Sequence, residues 1–171
     1  HDQTPHGARV ADIGCDHGLL SAALATSGRA SFVCAADVSE HALNKAARTL
    51  HEVGAADVVL RRGDGLSSLA ADDEIDTVIM AGLGVPRLVS IISDGLASAA
   101  ATEAVGGVQT LVLQPVAPRL SQMAMLRAVL RRRGFGILDE RFTTCADTRG
   151  CVRPYLTLTA TRGIAAPYSS S

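Results

Sequence analysis

The stretch Val10-Ala11-Asp12-Ile13-Gly14-Cys15-Asp16-His17-Gly18 decides the fold. Its first four residues close an apolar run of strand type. Gly14-x-x-x-Gly18 is then a turn that lets the backbone pass close under a ligand while the amides of the following helix face it. The turn fits a pyrophosphate poorly, because Asp16 stands where the second glycine of G-x-G-x-x-G belongs and would repel phosphate. A ligand with a positive centre and no phosphate suits it better, and Asp12 and Asp16 put two carboxylates within reach of such a centre. Asp16 also reads as an N-cap for the helix, a role compatible with ligand contact.

Outward from this turn, apolar runs bounded by turn signals alternate with helical periodicity along the 171 residues. The pattern predicts strands over residues 9–13, 31–37, 58–61, 75–81 and 110–114. It predicts helices over 19–27, 39–53, 86–104 and 119–133, the last ending at Gly134 as a C-cap, with 97–101 low in complexity but helix-forming. This alternation means βαβ units and a parallel sheet covered on both faces. Two further strand-like runs, 137–144 and 155–161, are joined by a polar turn containing Asp147, Gly150 and Pro154. Five parallel strands closed by a hairpin that inserts an antiparallel strand is the layout of Rossmann-like methyltransferases, an α/β sandwich on a mostly parallel seven-stranded sheet. A nicotinamide-binding domain would continue with a sixth parallel strand. The expected division is a leader over 1–8, one cofactor-binding domain over 9–163 and a loose tail over 164–171.

Composition agrees with one compact domain, since 47% of the residues are hydrophobic and 19% charged, which excludes a disordered or fibrous chain. Every apolar run is broken well short of the roughly 18 to 20 residues a spanning helix needs, so a soluble chain without a membrane partner is expected. The opening His1-Asp2-Gln3 has neither Met nor a charged-then-apolar leader and reads as a trimmed start. A cytoplasmic location follows, or an organelle had a leader been removed. Charge is divided unevenly: residues 1–86 carry 6 Lys and Arg against 12 Asp and Glu, residues 87–171 carry 10 against 5. The densest basic run, Arg127, Arg131, Arg132 and Arg133, lies on one predicted helix. It is either a phosphate-binding surface for RNA or a solvated face. Cys15, Cys34, Cys145 and Cys151 form no C-x-x-C pair and have no histidine at ligand spacing; no metal site is expected, and all four read as reduced thiols.

Three more signals are spaced like a set with the first. Asp37, with Val38 beside it, ends the second strand 23 residues after Gly14, where a carboxylate can accept both ribose hydroxyls. Gly63-Asp64-Gly65 closes the third strand and places an acid where an adenine amine can reach it. Ala81-Gly82-Leu83-Gly84 follows the fourth strand, and its two glycines open space for a flat substrate. Taken singly, the second of these reads as an ordinary turn, and Asp37 is shared by dinucleotide-binding folds.

These residues, together with Ile75-Asp76-Thr77-Val78-Ile79-Met80 and Leu111-Val112-Leu113-Gln114-Pro115, resemble the TrmK family over residues 9–162 in order. Its members are S-adenosylmethionine-dependent enzymes that methylate N1 of adenine 22 in tRNA. The resemblance implies cofactor contacts at Asp12, Gly14, Asp16, His17, Gly18, Asp37, Val38, Asp64, Gly65 and Ala81, and a substrate loop at Gly82, Leu83 and Gly84. It implies S-adenosylhomocysteine as product and tRNA as partner. Two features depart from the family. Its usual Ala-Gly-Met-Gly-Gly reads here Ala81-Gly82-Leu83-Gly84-Val85 followed by Pro86, which is bulkier and stiffer, and the family's helical C-terminal extension does not follow the last strand.

Adenine N1 carries a free lone pair at neutral pH, so positioning dominates the chemistry and no base is required. Asp16, the backbone carbonyls of Gly82 and Leu83, and the Gln114 side chain are the groups expected against the developing cation. His17 reads more readily as a cap or ring contact than as a base. The competing readings are a methyltransferase of another RNA or a small molecule, a cofactor-binding module weakened in catalysis, and last a nicotinamide oxidoreductase.

Overall fold

Every residue of β1 (Ala8–Ile13) except Arg9 is buried, and a strand buried on both faces belongs in the middle of a sheet. In the computed structural model, which describes residues 3–96, 104–146 and 152–164, β1 pairs in parallel with β2 (Ala30–Asp37) and with β4 (Thr77–Leu83). With β3 (Val59–Arg62), β5 (Thr110–Pro115), β6 (Phe135–Ala146) and β7 (Val152–Arg162), the sheet order is β3-β2-β1-β4-β5-β7-β6. β7 runs antiparallel to both of its neighbours, the inserted strand expected of a Rossmann-like methyltransferase sheet.

Helices α1 (Leu19–Thr26) and α2 (Glu40–Glu52) cover one face, where Leu24, Ala46 and Leu50 pack against Val10, Val33 and Ala35. Helices α3 (Val85–Gly95) and α4 (Leu120–Arg132) cover the other, where Leu88, Ile92, Leu126 and Leu130 meet Val78, Met80, Leu111 and Leu113. The Ser39 hydroxyl caps α2 by accepting the Ala42 N–H at 3.2 Å. At α1 the N-cap is Gly18 rather than Asp16, which lies two residues upstream at φ 45 with an exposed carboxylate. Gly18 has φ 69, and a Cβ there would lie 2.8 Å from Cβ of Ala46, so its lack of a side chain lets α1 and α2 cross closely.

Several expected boundaries move. β4 begins at Thr77, because Asp76 is tied across the strand entrance: its N–H donates to the Arg9 carbonyl at 3.1 Å and its carboxylate accepts the Arg9 N–H at 3.1 Å. The strand also runs on to Leu83, so Ala81-Gly82-Leu83 is its end and not a loop after it. A bulge opposite Gln114 and Pro115 carries Gly82 at φ 76. What looked like a stiff second half of the loop is the first turn of α3, with Pro86 where a missing N–H costs nothing. That helix ends at Gly95 instead of 104; the low-complexity stretch 97–101 lies outside the described residues. The hairpin strands are longer than expected, since an antiparallel ladder continues where apolar alternation stops. Pro154 sits within β7 opposite Thr144, on a stretch that β5 does not pair, whereas Asp147, Gly150 and Cys151 lie outside the described residues. In the expected leader, Gln3 already bonds to Asp139 and Thr159 on the sheet.

Candidate active site

The ends of β1, β2 and β4 meet at the point where the sheet order reverses, the place in open α/β sheets where a crevice forms outside the carboxyl ends of the strands. Backbone bonds lock the floor. The N–H groups of Gly14 and Cys15 both donate to the Ala36 carbonyl, at 2.8 and 3.1 Å, and the Gly63 N–H donates to the Asp37 carbonyl at 3.1 Å. Asp37 holds the turn to α2: its Oδ2 accepts the Asp16 N–H at 3.2 Å and its Oδ1 the Ser39 N–H at 2.9 Å. The Leu83 side chain rests on Gly14, 3.3 Å from where a Cβ would be.

Cavities line this edge. One of about 420 Å³ is bounded by Asp16, Asp37, Lys45, Ala81, Gly82 and Leu83. A slot of about 100 Å³ lies beyond Leu83, between Gly14, Asp37, Val38, Gly65 and Arg87. A third, of about 350 Å³, shares Ala81 with the first and is bounded by Gln114, Arg141 and Thr157. Asp16, Gly14, Asp37, Val38, Gly65, Ala81, Gly82, Leu83 and Gln114 therefore lie where a ligand could touch them.

Asp12 does not. It is 2% exposed and its Oδ2 accepts the Ser21 hydroxyl at 2.6 Å, turned toward α1 and away from the cavities. Burial pushes its carboxyl up to about 6, against the lowering effect of the Ser21 bonds and with the Asp37 charge adding to the rise. What Asp12 offers a ligand is its charge, not its oxygens. Gly18 likewise serves the helix crossing. His17 is half exposed, with its Nε2 3.2 Å from Nζ of Lys45 and 3.7 Å from Oδ1 of Asp16. The Leu83 carbonyl already accepts the Val116 N–H at 3.0 Å. Gln114 Nε2 lies 3.5 Å from the Thr157 hydroxyl. Asp64 forms an ion pair with Arg87. Sequence reading singled out neither Lys45 nor Arg87 for the site; the only available signals were that Lys45 is the sole lysine and that Arg87 follows the glycine pair by three residues.

Burial also pushes the thiols of Cys15 and Cys34 up, to about 12 and about 11, which leaves both as inert core groups. The arginine run is divided. Arg127 makes two bonds to Glu140 at 2.7 and 3.0 Å, and Arg133 donates to the Ser93 carbonyl at 2.8 Å. Arg131 and Arg132 are exposed and make no ion pair among the described residues. They end α4, which leads into β6 at Phe135; that residue pairs with Arg162, whose N–H donates to the carbonyl of Gln109 just before β5 begins. The run thus lies at the end of the sheet opposite the cleft.

Residues 1–149 match the methyltransferase domain family, and the chain belongs to it. Within that class it is 27% identical over 137 residues to the tRNA (adenine(22)-N(1))-methyltransferase of Bacillus subtilis strain 168, a match covering 80% of this chain and 53% of that protein. The chain thus spans about half the length of this curated relative. The crystal structure of the B. subtilis m1A22 tRNA methyltransferase TrmK is similar at a TM-score of 0.76 and 25% identity, over 95% of this chain and 63% of that one. A Streptococcus pneumoniae protein crystallised with S-adenosyl-L-methionine shares the fold at a TM-score of 0.81 and 24% identity, over 98% and 72% of the two chains. The resemblance to the TrmK family holds in sequence and in fold. Among the described residues no helix is long and apolar enough to cross a membrane.

Proposed function

We propose that this chain is the catalytic domain, over residues 9–163, of an S-adenosylmethionine-dependent tRNA methyltransferase acting on N1 of adenine. The observation that carries the reading is the state of the glycine turn. The amides of Gly14, Cys15 and Asp16 are all engaged by Ala36 and Asp37, so these three are not offered to a pyrophosphate, while Asp16, Asp37 and Asp64 present carboxylates along the same edge. Three carboxylates on one edge, with Lys45 and Arg87 beside them, fit a cofactor with hydroxyls, an amine and a positive centre, and the engaged amides of the turn disfavour a pyrophosphate there.

S-adenosylmethionine supplies an electrophilic methyl group on a sulfonium. Asp37 takes the ribose hydroxyls, Asp64 and Gly65 hold the adenine, and Asp16 faces the ammonium. Gly82 leaves room for the acceptor base, with its carbonyl and the Gln114 side chain against the edge where positive charge develops. Adenine N1 needs no proton removed, so His17 positions Lys45 and does not act as a base. The B. subtilis relative supports tRNA as substrate and the cytoplasm, where tRNA is found, as location. Arg119, exposed at the start of α4, and Arg141, which lines the third cavity and pairs with Asp139 at 2.8 Å, are cations on the cleft side placed to meet it.

The test is to incubate bulk tRNA with the chain and S-adenosylmethionine, digest, and map methylated nucleosides by mass. 1-Methyladenosine at one position is the expected result. A different methylated nucleoside would overturn the adenine N1 assignment, and cofactor binding without any methylation would favour a binding module.

A further inference from the structure

Arg87 lines two of the cavities along the cleft. Its Nη2 donates to Oδ1 of Asp64. Its side chain lines the slot beneath Leu83 and also a cavity of about 500 Å³ on the far side, shared with Ser67, Ser90 and Asp94. Arg87 lies in the first turn of α3, where the buried neighbours Val85 and Leu88 anchor the backbone, so the guanidinium is delivered to the slot by a rigid element. Both partners are substantially exposed, at 44% and 65%, and as an ion pair they add little to stability. Their placement is the informative fact.

An adenine edge presents an amine that donates beside ring nitrogens that accept. A carboxylate can only accept and a guanidinium can only donate. Arg87 occupies one oxygen of Asp64 and leaves the other for an amine proton, and its planar fork keeps further N–H groups beside that oxygen. Asp64 lines the larger cavity and Arg87 lines both it and the slot, so an acceptor and a donor are held side by side where the two meet, and together they complement an amine next to a ring nitrogen. We propose that Arg87 is a specificity-determining residue: oriented by Asp64, it donates a hydrogen bond to a ring nitrogen of the cofactor's adenine, so that the pair reads amine and nitrogen together. This rests on the proposed hold of Asp64 and Gly65 on the cofactor's adenine.

Calorimetry with S-adenosylhomocysteine and with its 1-deaza and 7-deaza analogues, on wild type, Arg87→Ala and Arg87→Lys, tests it. In wild type one deaza analogue is expected to bind about tenfold more weakly than the parent, the loss of one charge-assisted bond. In Arg87→Ala the parent weakens to the level of that analogue and the difference disappears, whereas Arg87→Lys, which keeps donors without the fork, recovers part of it. Ligand-free thermal unfolding of the variants shows whether each is folded. A deaza penalty that survives in Arg87→Ala overturns the proposal, as does tighter binding by that variant, which would make Arg87 a competitor for Asp64. Wild type that binds none of the three ligands removes the adenine subsite itself; wild type that binds them with Arg87→Ala unchanged removes only the role of Arg87.

Discussion

Asp12 lies between the strand that decides the fold and the helix that follows it, and its burial has a consequence for stability. Folding raises its carboxyl from 3.8 to about 6, so the folded chain holds this proton more tightly than the unfolded one. At pH below about 3.8 both states are protonated and the residue costs nothing. As pH rises toward 6 the unfolded chain ionises first and stability falls; above 6 the full cost, on the order of 3 kcal/mol, is present. Asp12→Asn keeps an acceptor for Ser21 without the charge. It is expected to match wild type near pH 4 and to exceed its stability by up to that amount above pH 7, in denaturant melts across the range. Parallel pH profiles for the two proteins would assign the effect to another group. Asp37 is the opposite case, a carboxylate at the cleft with work on both oxygens. Asp37→Ala is expected to weaken S-adenosylhomocysteine binding at least about tenfold, since charge-assisted bonds are worth about 1.5 to 3 kcal/mol each. Unchanged affinity by calorimetry would remove the ribose assignment.

The contacts between elements set the next scale. Gly18 allows α1 to approach α2, and Gly18→Ala would add both a clash with Ala46 and a left-handed strain. A loss of about 1 to 3 kcal/mol is expected in urea unfolding, partly restored by Ala46→Gly in the double variant. No restoration would mean that backbone strain alone is responsible. The bulge at Gly82 shares the left-handed strain, at φ 76, but differs in that open space surrounds the position, so a side chain there meets no neighbour. Gly82→Val is expected to abolish methyl transfer by filling the place of the base while leaving cofactor affinity within about threefold of wild type. Transfer at the wild-type rate in single-turnover assays would move the base elsewhere. Arg61 and Asp73 supply a purely structural example. Asp73 is buried, bonds Arg61 with both oxygens and accepts the Ala70 N–H, and this raises the affinity of the guanidinium for its proton above the usual range; no local pattern marked either residue.

For the whole molecule, the proposed tRNA substrate raises the question of which surface would meet it. The cleft opens at the carboxyl edge of the sheet, with Arg119 at the start of α4 and Arg141 beside Gln114, whereas Arg131 and Arg132 lie at the other end. If phosphates are neutralised near the cleft, replacing Arg119 and Arg141 by Ala should flatten the salt dependence of tRNA binding by up to about 0.9 per lost contact, taking the duplex DNA coefficient as a guide. Replacing Arg131 and Arg132 should leave the slope as it was. The reverse result would place the RNA on the far face.

The order of strands and helices, the turn at Gly14, and the acids at Asp37 and Asp64 were all legible in the sequence. Periodicity, strand ends and glycine turns depend on neighbours a few residues apart, and those the chain states directly. Strand lengths were legible only in part, because the Asp76 clamp on β4 and the long hairpin ladder depend on partners brought from other strands. Three things belonged to the tertiary structure alone: the turning of Asp12 toward Ser21, the pairing of Asp64 with Arg87 across 23 positions, and the division of the arginine run between Glu140, Ser93 and solvent. Each depends on which side chains packing brings within bonding distance, and the crossing of helices over the sheet decides that, not spacing along the chain.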